Sequence, residues 1–442
     1  MSYKLDDHYT SKKLILISLP AIMQMIFISI YSIVDGFFIS NYCGTDAFSG
    51  ANIIWPFSMI LSAFGFMVGT GGTALVAKLL GEEKKEEASK VFSMLFYFTL
   101  ILGALLSTIS LIFTKNIAYA LGARDELLDY ATRYGRILIA FNFIFMIQSF
   151  FHNFFIVAER PKLGFLATLF AGLANMFLDL LFVGILKFDV EGAAFATGIA
   201  YIVGAGFALF YFIFNKKTNI HLVKPEFNFR FIKQTCFNGS SELVSNISMS
   251  IVSILFNIQL LHYIGKTGVA AYGIIMYVSF IFIAVFIGFN ISTCPIISYN
   301  YGAQNEEELK SVSHKCLKIT CIFGVVMTIL TFTLAIPLAH IFAHNDEELL
   351  KLSIHAIRIY SFMFLFSGIT YFASAFFTAL NNGLISVLIS SFRIIICQIG
   401  CILILPLIFK AEGIWYSMVI SESLALVFSI IFIITFKKKY NY

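Results

Sequence analysis

A chain of 442 residues with 59% hydrophobic residues, 51 Phe and 12% charged residues carries more apolar surface than a soluble domain buries in one core. With a mean hydropathy of +0.88 it reads as an all-α polytopic membrane protein. The net charge of +5 needs no nucleic acid to explain it, because basic residues gather at the cytoplasmic face of a membrane protein. Seven cysteines (Cys43, Cys236, Cys294, Cys316, Cys321, Cys397 and Cys401) are scattered without a CxxC or a Cys/His cluster at zinc spacing. Free, buried thiols are expected.

A bilayer core takes about 20 apolar residues per helix. Segments of that kind fall at 14-39, 50-79, 92-114, 134-157, 163-186, 192-215, 235-264, 268-298, 316-342, 355-379, 384-409 and 412-436, which predicts twelve transmembrane helices. The first follows Lys12 and Lys13 as a signal peptide would, but it has no small-residue cleavage site and runs on toward Phe38. It is read as a retained span.

An even number of spans puts both termini on one side. Of the 30 Lys and Arg, 20 fall in the termini and connections of one side, including Lys84, Lys85, Arg160, Lys217 and Lys437 to Lys439. Nine fall on the other, and Arg393 lies within a span. The asymmetry predicts cytoplasmic termini, in a bacterial cytoplasmic (inner) membrane protein.

The chain also repeats. Gly44 and Gly265, Gly81 and Gly302, and Gly192 and Gly413 are each 221 residues apart, half the chain, and YCGTDAFSGANI faces YIGKTGVAAYGI across that offset. Six spans per half predict two parallel six-helix lobes related by pseudo-two-fold symmetry about the membrane normal, with a cavity between the halves. The predicted division is an amino-terminal lobe over 1-214, a cytoplasmic linker over 215-234 and a carboxyl-terminal lobe over 235-442.

Asp35 and Asp179 interrupt apolar spans, where ionisable side chains are costly and mark ion or substrate paths. Asn175 lies one turn before Asp179 on the same helical face, and Thr197 enters the sixth span at similar depth. Two carboxylates, an amide and a hydroxyl make a hard oxygen set suited to sodium, or to a proton if the carboxylates crowd one another. The repeat equivalents of Asp35 and Asp179 are Phe256 and Gly400, so the carboxylates belong to one half only. Pro20 removes a helical hydrogen bond and permits bending of the first span, or sets a static kink.

In the second half the intramembrane charges are Glu242, Arg393 and Glu422. Arg393 needs a partner and Glu422 is the obvious one, as a structural tie or as a shared contact to substrate; Glu242 stands near a cytoplasmic end, where it also has the option of snorkelling. Tyr31, one turn before Asp35, and Asn153, in the inner half of the fourth span, are candidates for lining a drug-sized cavity or for packing.

These features together resemble the multidrug and toxic compound extrusion (MATE) family of cation-coupled antiporters. The likeness rests on LPAIMQMIFISIYSIVDGFFI with Pro20 and Asp35, GTGGTALVAKLLGEEKKEEA, ANMFLDLLFV with Asn175 and Asp179, EGAAFATGIA with Thr197, and ISYNYGAQNEEEL. The resemblance implies an amino-terminal-lobe cation site at Asp35, Asn175, Asp179 and Thr197, and helix bending at Pro20. It also implies a substrate cavity that includes Tyr31 and Asn153. Glu242, Arg393 and Glu422 are further cavity candidates, although Glu242 stands nearer the start of the seventh span than the family's acidic ligands there.

The expected function is export of small amphipathic, often cationic drugs or metabolites in exchange for sodium or protons. Alternating access is the expected mechanism, in a chain working as a monomer without a bound cofactor. A lipid-linked sugar flippase of the same superfamily is the alternative, against which twelve spans and acidic intramembrane residues argue. A membrane enzyme is the third possibility, against which the lack of HExxH, GxSxG or an acid-base pair with a nucleophile argues.

Overall fold

The structure is a computed structural model describing residues 4–216, 218–343 and 346–442; Lys217 of the sequence-predicted linker lies outside the described residues. Long apolar stretches without strand-like alternation become helices, whose backbone groups are all satisfied within the segment, as a bilayer demands. In chain order the helices are α1 (Ser11–Phe38), α2 (Thr45–Gly81), α3 (Lys85–Ile112), α4 (Thr114–Ala120), α5 (Asp125–Val157), α6 (Pro161–Asp179), α7 (Asp189–Phe214) and α8 (Phe229–Asn238). They continue with α9 (Ser240–Tyr263), α10 (Lys266–Gly302), α11 (Glu306–Thr333), α12 (Ala335–Ala343), α13 (Glu347–Ser361), α14 (Met363–Ala379), α15 (Gly383–Ser391) and α16 (Ile399–Tyr440). Three π-helical segments, Ile39–Cys43, Leu180–Ile185 and Phe392–Gln398, extend α1 and α6 and join α15 to α16.

Nine of the apolar helices span singly, and α13 with α14 makes one span bent by 47°. The remaining apolar stretch, Gly383–Tyr440, has 58 residues. At 1.5 Å per residue it is about 87 Å long, far more than one bilayer needs. It divides at Lys410, whose φ of 53° and ψ of −132° are not helical. Two spans there bring the described residues to the twelve expected.

Side chains mark the helix starts where the sequence offers them: Asn305, Asp346 and Asn382 accept the backbone N–H of Glu308, Leu349 and Ile385. The repeat is legible in the backbone itself. Gly44 and Gly265 take φ of 94° and 88° before two helices of 37 residues each, α2 and α10. At the same offset of 221, Glu83 and Gln304 take φ of 63° and 54°, and Asp189 and Lys410 take 57° and 53°. The break in α16 is thus the second-half counterpart of the turn before α7.

The chain forms two compact units. One comprises the segment up to Asp7 and Phe27–Leu243; the other comprises His8–Ile26 and Val244–Tyr442. The first unit packs α2 on α5 through small residues, which lets helices approach where no hydrophobic drive exists between them. A Cβ on Gly65 would come within 2.8 Å of the Met146 backbone, and one on Gly69 within 2.9 Å of Asn153 Nδ2. Phe92, wholly buried, sits among Phe150, Phe151, Phe154 and Phe212 with ring centroids 4.9–6.3 Å away. The second unit centres on Phe256, Tyr272, Ile275, Tyr360 and Trp415.

All seven cysteines are free. Burial holds for Cys316, Cys397 and Cys401, whereas Cys321 is exposed on an apolar face of α11 and the others are partly exposed. An apolar span has a lipid face as well as a packed one, so position in a span does not by itself bury a thiol.

Candidate functional site

Four of the residues singled out in the sequence meet inside the first unit. Asn175 and Asp179 stack one turn apart on α6, Thr197 comes from α7, and Asp35 comes from the last turns of α1. The Asn175 amide donates to the Thr197 hydroxyl and that hydroxyl donates to Asp35 Oδ1, each at 3.4 Å. Asp179 is 0% exposed, Asn175 1% and Thr197 5%, while Asp35 is partly exposed. The Asp35 and Asp179 carboxyl groups lie against each other.

Hydrogen bonding at this site is incomplete. Neither carboxylate oxygen of Asp179 has a partner, nor does Asn175 Oδ1. Buried acceptors without donors cost free energy, roughly 1–3 kcal/mol each and more for charged groups. Three such oxygens beside a second carboxylate form a socket for something positive. The chemistry of the set fits a small hard cation or a proton, since either relieves repulsion between the carboxylates and fills the empty acceptors.

Tyrosines surround the pair. Tyr31 lies one turn before Asp35, and its ring and that of Phe27 occupy the space left by Gly172 on α6, where a Cβ would approach them to 3.0 and 2.5 Å. Tyr134 and Tyr201, both buried, lie within electrostatic reach of Asp35. Sequence reasoning missed these two. Tyr201 was findable, being one turn past Thr197 on the same face, whereas nothing local distinguishes Tyr134 from other aromatic residues of α5.

The equivalent position in the second unit is filled. Phe256, the counterpart of Asp35, is fully buried and stacks on Tyr272 at 4.8 Å with rings 1° from parallel. Gly400, the counterpart of Asp179, offers no side chain.

The second unit has a polar centre of its own. Glu422, 0% exposed, accepts from Arg393 Nε at 2.8 Å, Gln398 Nε2 at 3.0 Å and Thr370 Oγ1 at 2.9 Å, and the guanidinium lies 3.8 Å from the centre of the Tyr371 ring. The Arg393–Glu422 pairing expected from the sequence is present.

The remaining candidates stand apart. Asn153 donates to the Ser149 carbonyl of its own helix at 2.9 Å and packs on Gly69 of α2. Glu242 lies in the first turn of α9, partly exposed, where a helix N-terminus favours a carboxylate. Pro20 sits inside α1, which continues as one helix from Ser11 to Phe38.

Each π-helical segment adjoins one of the intramembrane charges. Ile39–Cys43 begins four residues after Asp35, Leu180–Ile185 begins directly after Asp179, and Phe392–Gln398 contains Arg393 and Gln398. Wider turns of this kind re-aim neighbouring side chains and are frequent at functional sites. No residue pattern announces them.

A family model described as MatE matches residues 20–181 and again 243–403, most of the chain and once per half. The chain belongs to the MatE family. The double match restates the internal repeat, and its second copy begins 223 residues after the first.

Among relatives of this MatE protein, the multidrug export protein MepA of Staphylococcus aureus (strain MSSA476) is 25% identical over 385 residues, covering 85% of this chain and 83% of that one. MepA of Staphylococcus haemolyticus (strain JCSC1435) is 24% identical over 385 residues, with 85% and 82% covered. Solved structures share the fold. MATE in complex with MaL6 superposes with a TM-score of 0.92 at 23% identity, covering 98% of each chain. A MOP superfamily transporter from Pyrococcus furiosus gives 0.89 at 23% identity, covering 97% of this chain and 96% of that one. The fold is therefore that of MATE transporters, with twelve spans in two six-helix lobes.

Proposed function

We propose that this MatE protein is a cation-coupled multidrug antiporter, exporting small amphipathic and often cationic compounds by alternating access as sodium or protons enter. The observation that carries the reading is Asp179, fully buried in an apolar segment with both carboxylate oxygens unpartnered, beside Asp35, Asn175 and Thr197. A purely structural carboxylate in that position would be expected to have its acceptors filled, as those of Glu422 are. The MepA relatives, multidrug export proteins by name, supply the substrate class. The cytoplasmic face is taken to be the one carrying both termini and the basic connections.

In this reading the incoming cation sits among the oxygens of Asp35, Asp179, Asn175 and Thr197, and the carboxylates supply the charge that holds it. Tyr31 is taken to line the substrate's route beside the pair, while Asn153 has a packing role. Pro20 leaves the Leu16 carbonyl without its usual helical donor, the local weakness that permits α1 to bend.

The test is gradient-driven export of a fluorescent cationic dye from proteoliposomes, with sodium and pH gradients imposed separately. Asp35→Asn and Asp179→Asn keep the side-chain size and remove the charge. Each is expected to abolish gradient-driven export while dye still binds. Ion-driven export at the unsubstituted rate in both variants, at equal incorporation, would sink the assignment.

A further inference from the structure

The helix that leads into the seventh span, α8, has one face against α2 and one face open. Ile232, Thr235 and Asn238 are buried, and a Cβ on Gly71 of α2 would stand 2.1 Å from the Thr235 carbonyl oxygen. On the opposite side Phe229, Arg230, Lys233 and Phe237 project within about 100° of arc, and all four are exposed. Phe229 is 69% exposed, Phe237 51%, and Phe227, just before the helix, 78%.

Contacts with two neighbours fix the depth of this face. Gly71 meets Thr235 and Met67 meets Gly239, a step of four residues on each side, so α8 runs alongside α2 in the opposite direction. Continued at that rate, Lys233 is level with Thr73 and Phe229 with Ala77, where the apolar stretch 50-79 is ending. The segment ahead of α8 lies on α3. The Val223 N–H donates to Ser93 Oγ at 2.9 Å and the Asn228 N–H to Met94 Sδ at 3.2 Å, beside the start of the apolar stretch 92-114. Both neighbours put the open face at the boundary of headgroups and hydrocarbon, in the leaflet next to the α2–α3 turn.

Two cations at that boundary need an anion. Glu226, the carboxylate closest to them in sequence, is taken by Lys90 Nζ at 2.5 Å, and no ion pair engages Arg230 or Lys233 among the described residues. A cation at the edge of hydrocarbon is costly unless it reaches the headgroups. Helical side chains lean toward their helix N-terminus, and that of α8 points to the headgroup side, so both cations reach outward from their Cα positions. Three exposed phenyl rings argue against a water-facing surface, since apolar rings gain by leaving water for glycerol and acyl chains. The equivalent place in the other half is closed by protein groups. Tyr9, 221 residues before Arg230, is 0% exposed, with its N–H on Glu308 at 2.9 Å and its carbonyl on Lys315 Nζ at 2.5 Å.

We propose that the open face of α8 binds an anionic glycerophospholipid, with its phosphate between Arg230 and Lys233 and its glycerol and upper acyl chains on Phe229 and Phe237. Phosphatidylglycerol is the simplest lipid of that class. A zwitterionic lipid carries the same phosphate but adds a cation that the basic pair repels. The site stands apart from the carboxylates of the same unit and from the ion they are proposed to take, and it anchors the chain where it enters the seventh span.

The test uses the full chain carrying Phe229→Trp, reconstituted in mixtures of phosphatidylcholine and phosphatidylglycerol with one of the two brominated. Contact is read as quenching of the fluorescence added over the unsubstituted protein. Brominated phosphatidylglycerol is expected to quench at a lower mole fraction than brominated phosphatidylcholine. Arg230→Gln and Lys233→Gln are each expected to weaken that preference about 5-fold, and the double variant to abolish it. Lys84→Gln with Lys85→Gln removes the same charge elsewhere on that side and is expected to leave the preference in place. Should Phe229→Trp fail to incorporate, Phe227→Trp reports on the same face. Equal quenching by the two lipids would overturn the proposal, as would a preference that survives the double Gln substitution or falls equally in the Lys84, Lys85 variant. Loss of the preference on adding inorganic phosphate at constant ionic strength would reveal a free-anion site instead, and quenching by neither lipid would place the face in water; either result also overturns it.

Discussion

Arg393 donates Nε–H to Glu422 at 2.8 Å with 9% of the arginine side chain and none of the glutamate exposed. Gln398 and Thr370 complete the carboxylate's acceptors and Tyr371 covers the guanidinium. Such a pair is neutral as a whole, and its cost appears when it is halved.

Arg393→Met or Glu422→Gln alone leaves a buried charge without its counter-ion, at a cost of about 3–5 kcal/mol. Thermal unfolding in detergent is expected to show a large drop for each single variant and recovery in the Arg393→Met, Glu422→Leu double variant. Equal stability of singles and double would contradict an energetic pairing. Export by the recovered double variant then separates the two roles: a tie leaves it intact, and a substrate contact does not.

Two glycines hold α2 to the end of α8. A Cβ on Gly71 would stand 2.1 Å from the Thr235 carbonyl oxygen, and one on Gly239 1.9 Å from that of Met67. Backbone offers no flexible atom to move aside. Gly71→Ala and Gly239→Ala are expected to lose folded protein by size-exclusion profile, whereas Gly206→Ala and Gly273→Ala, with nothing within 4 Å, are expected to be neutral or up to about 1 kcal/mol stabilising. Equal profiles for all four would refute the close approach.

The spans, the repeat and the four-residue site were legible because each rests on period or composition. Asn175 and Asp179 declare a shared face by their spacing, and Asp35 declares itself by charge in an apolar run. Arg393 and Glu422 were paired by elimination among few charges. Tyr134 and the Thr370, Tyr371 and Gln398 shell depend on which helix faces which, information no local pattern holds. The π-helical segments escaped for another reason: an i to i+5 turn has no residue signature, so the bulges beside Asp35, Asp179 and Arg393 appear only in the backbone. Lys410 was covered by the repeat, since its counterpart Asp189 lies in an evident turn.

At the other end of α5, Arg133 bonds Glu191 through Nε and NH2, each at 2.5 Å, and Asp189 at 3.0 Å, with Asp129 at 3.5 Å. Its side chain is 36% exposed and those of Asp189 and Glu191 are 33% and 29% exposed, so water and salt screen the network. Arg133→Met is expected to cost about 1 kcal/mol or less, a deficit that shrinks in 0.5 M salt. A loss of several kcal/mol unaffected by salt would show the network to be far less screened than its exposure implies.

Twelve spans put both termini on one face, and the proposed orientation, drawn from the distribution of Lys and Arg, 20 against nine, takes that face as cytoplasmic. The structure supplies exposed positions on both sides of the expected membrane. Glu86 at the start of α3, Lys224 between α7 and α8, and Lys439 at the end of α16 belong to the terminal face, and Lys115 and Lys187 to the opposite one. Each is replaced singly by Cys in a background free of the seven native thiols. A membrane-impermeant maleimide added to intact cells is expected to label Lys115→Cys and Lys187→Cys at once. Glu86→Cys, Lys224→Cys and Lys439→Cys should react only after the cells are opened. A reversed pattern would invert the chain. Labelling of Glu86→Cys and Lys439→Cys from opposite sides would instead make the number of spans between them odd, contradicting a second span at the Lys410 break.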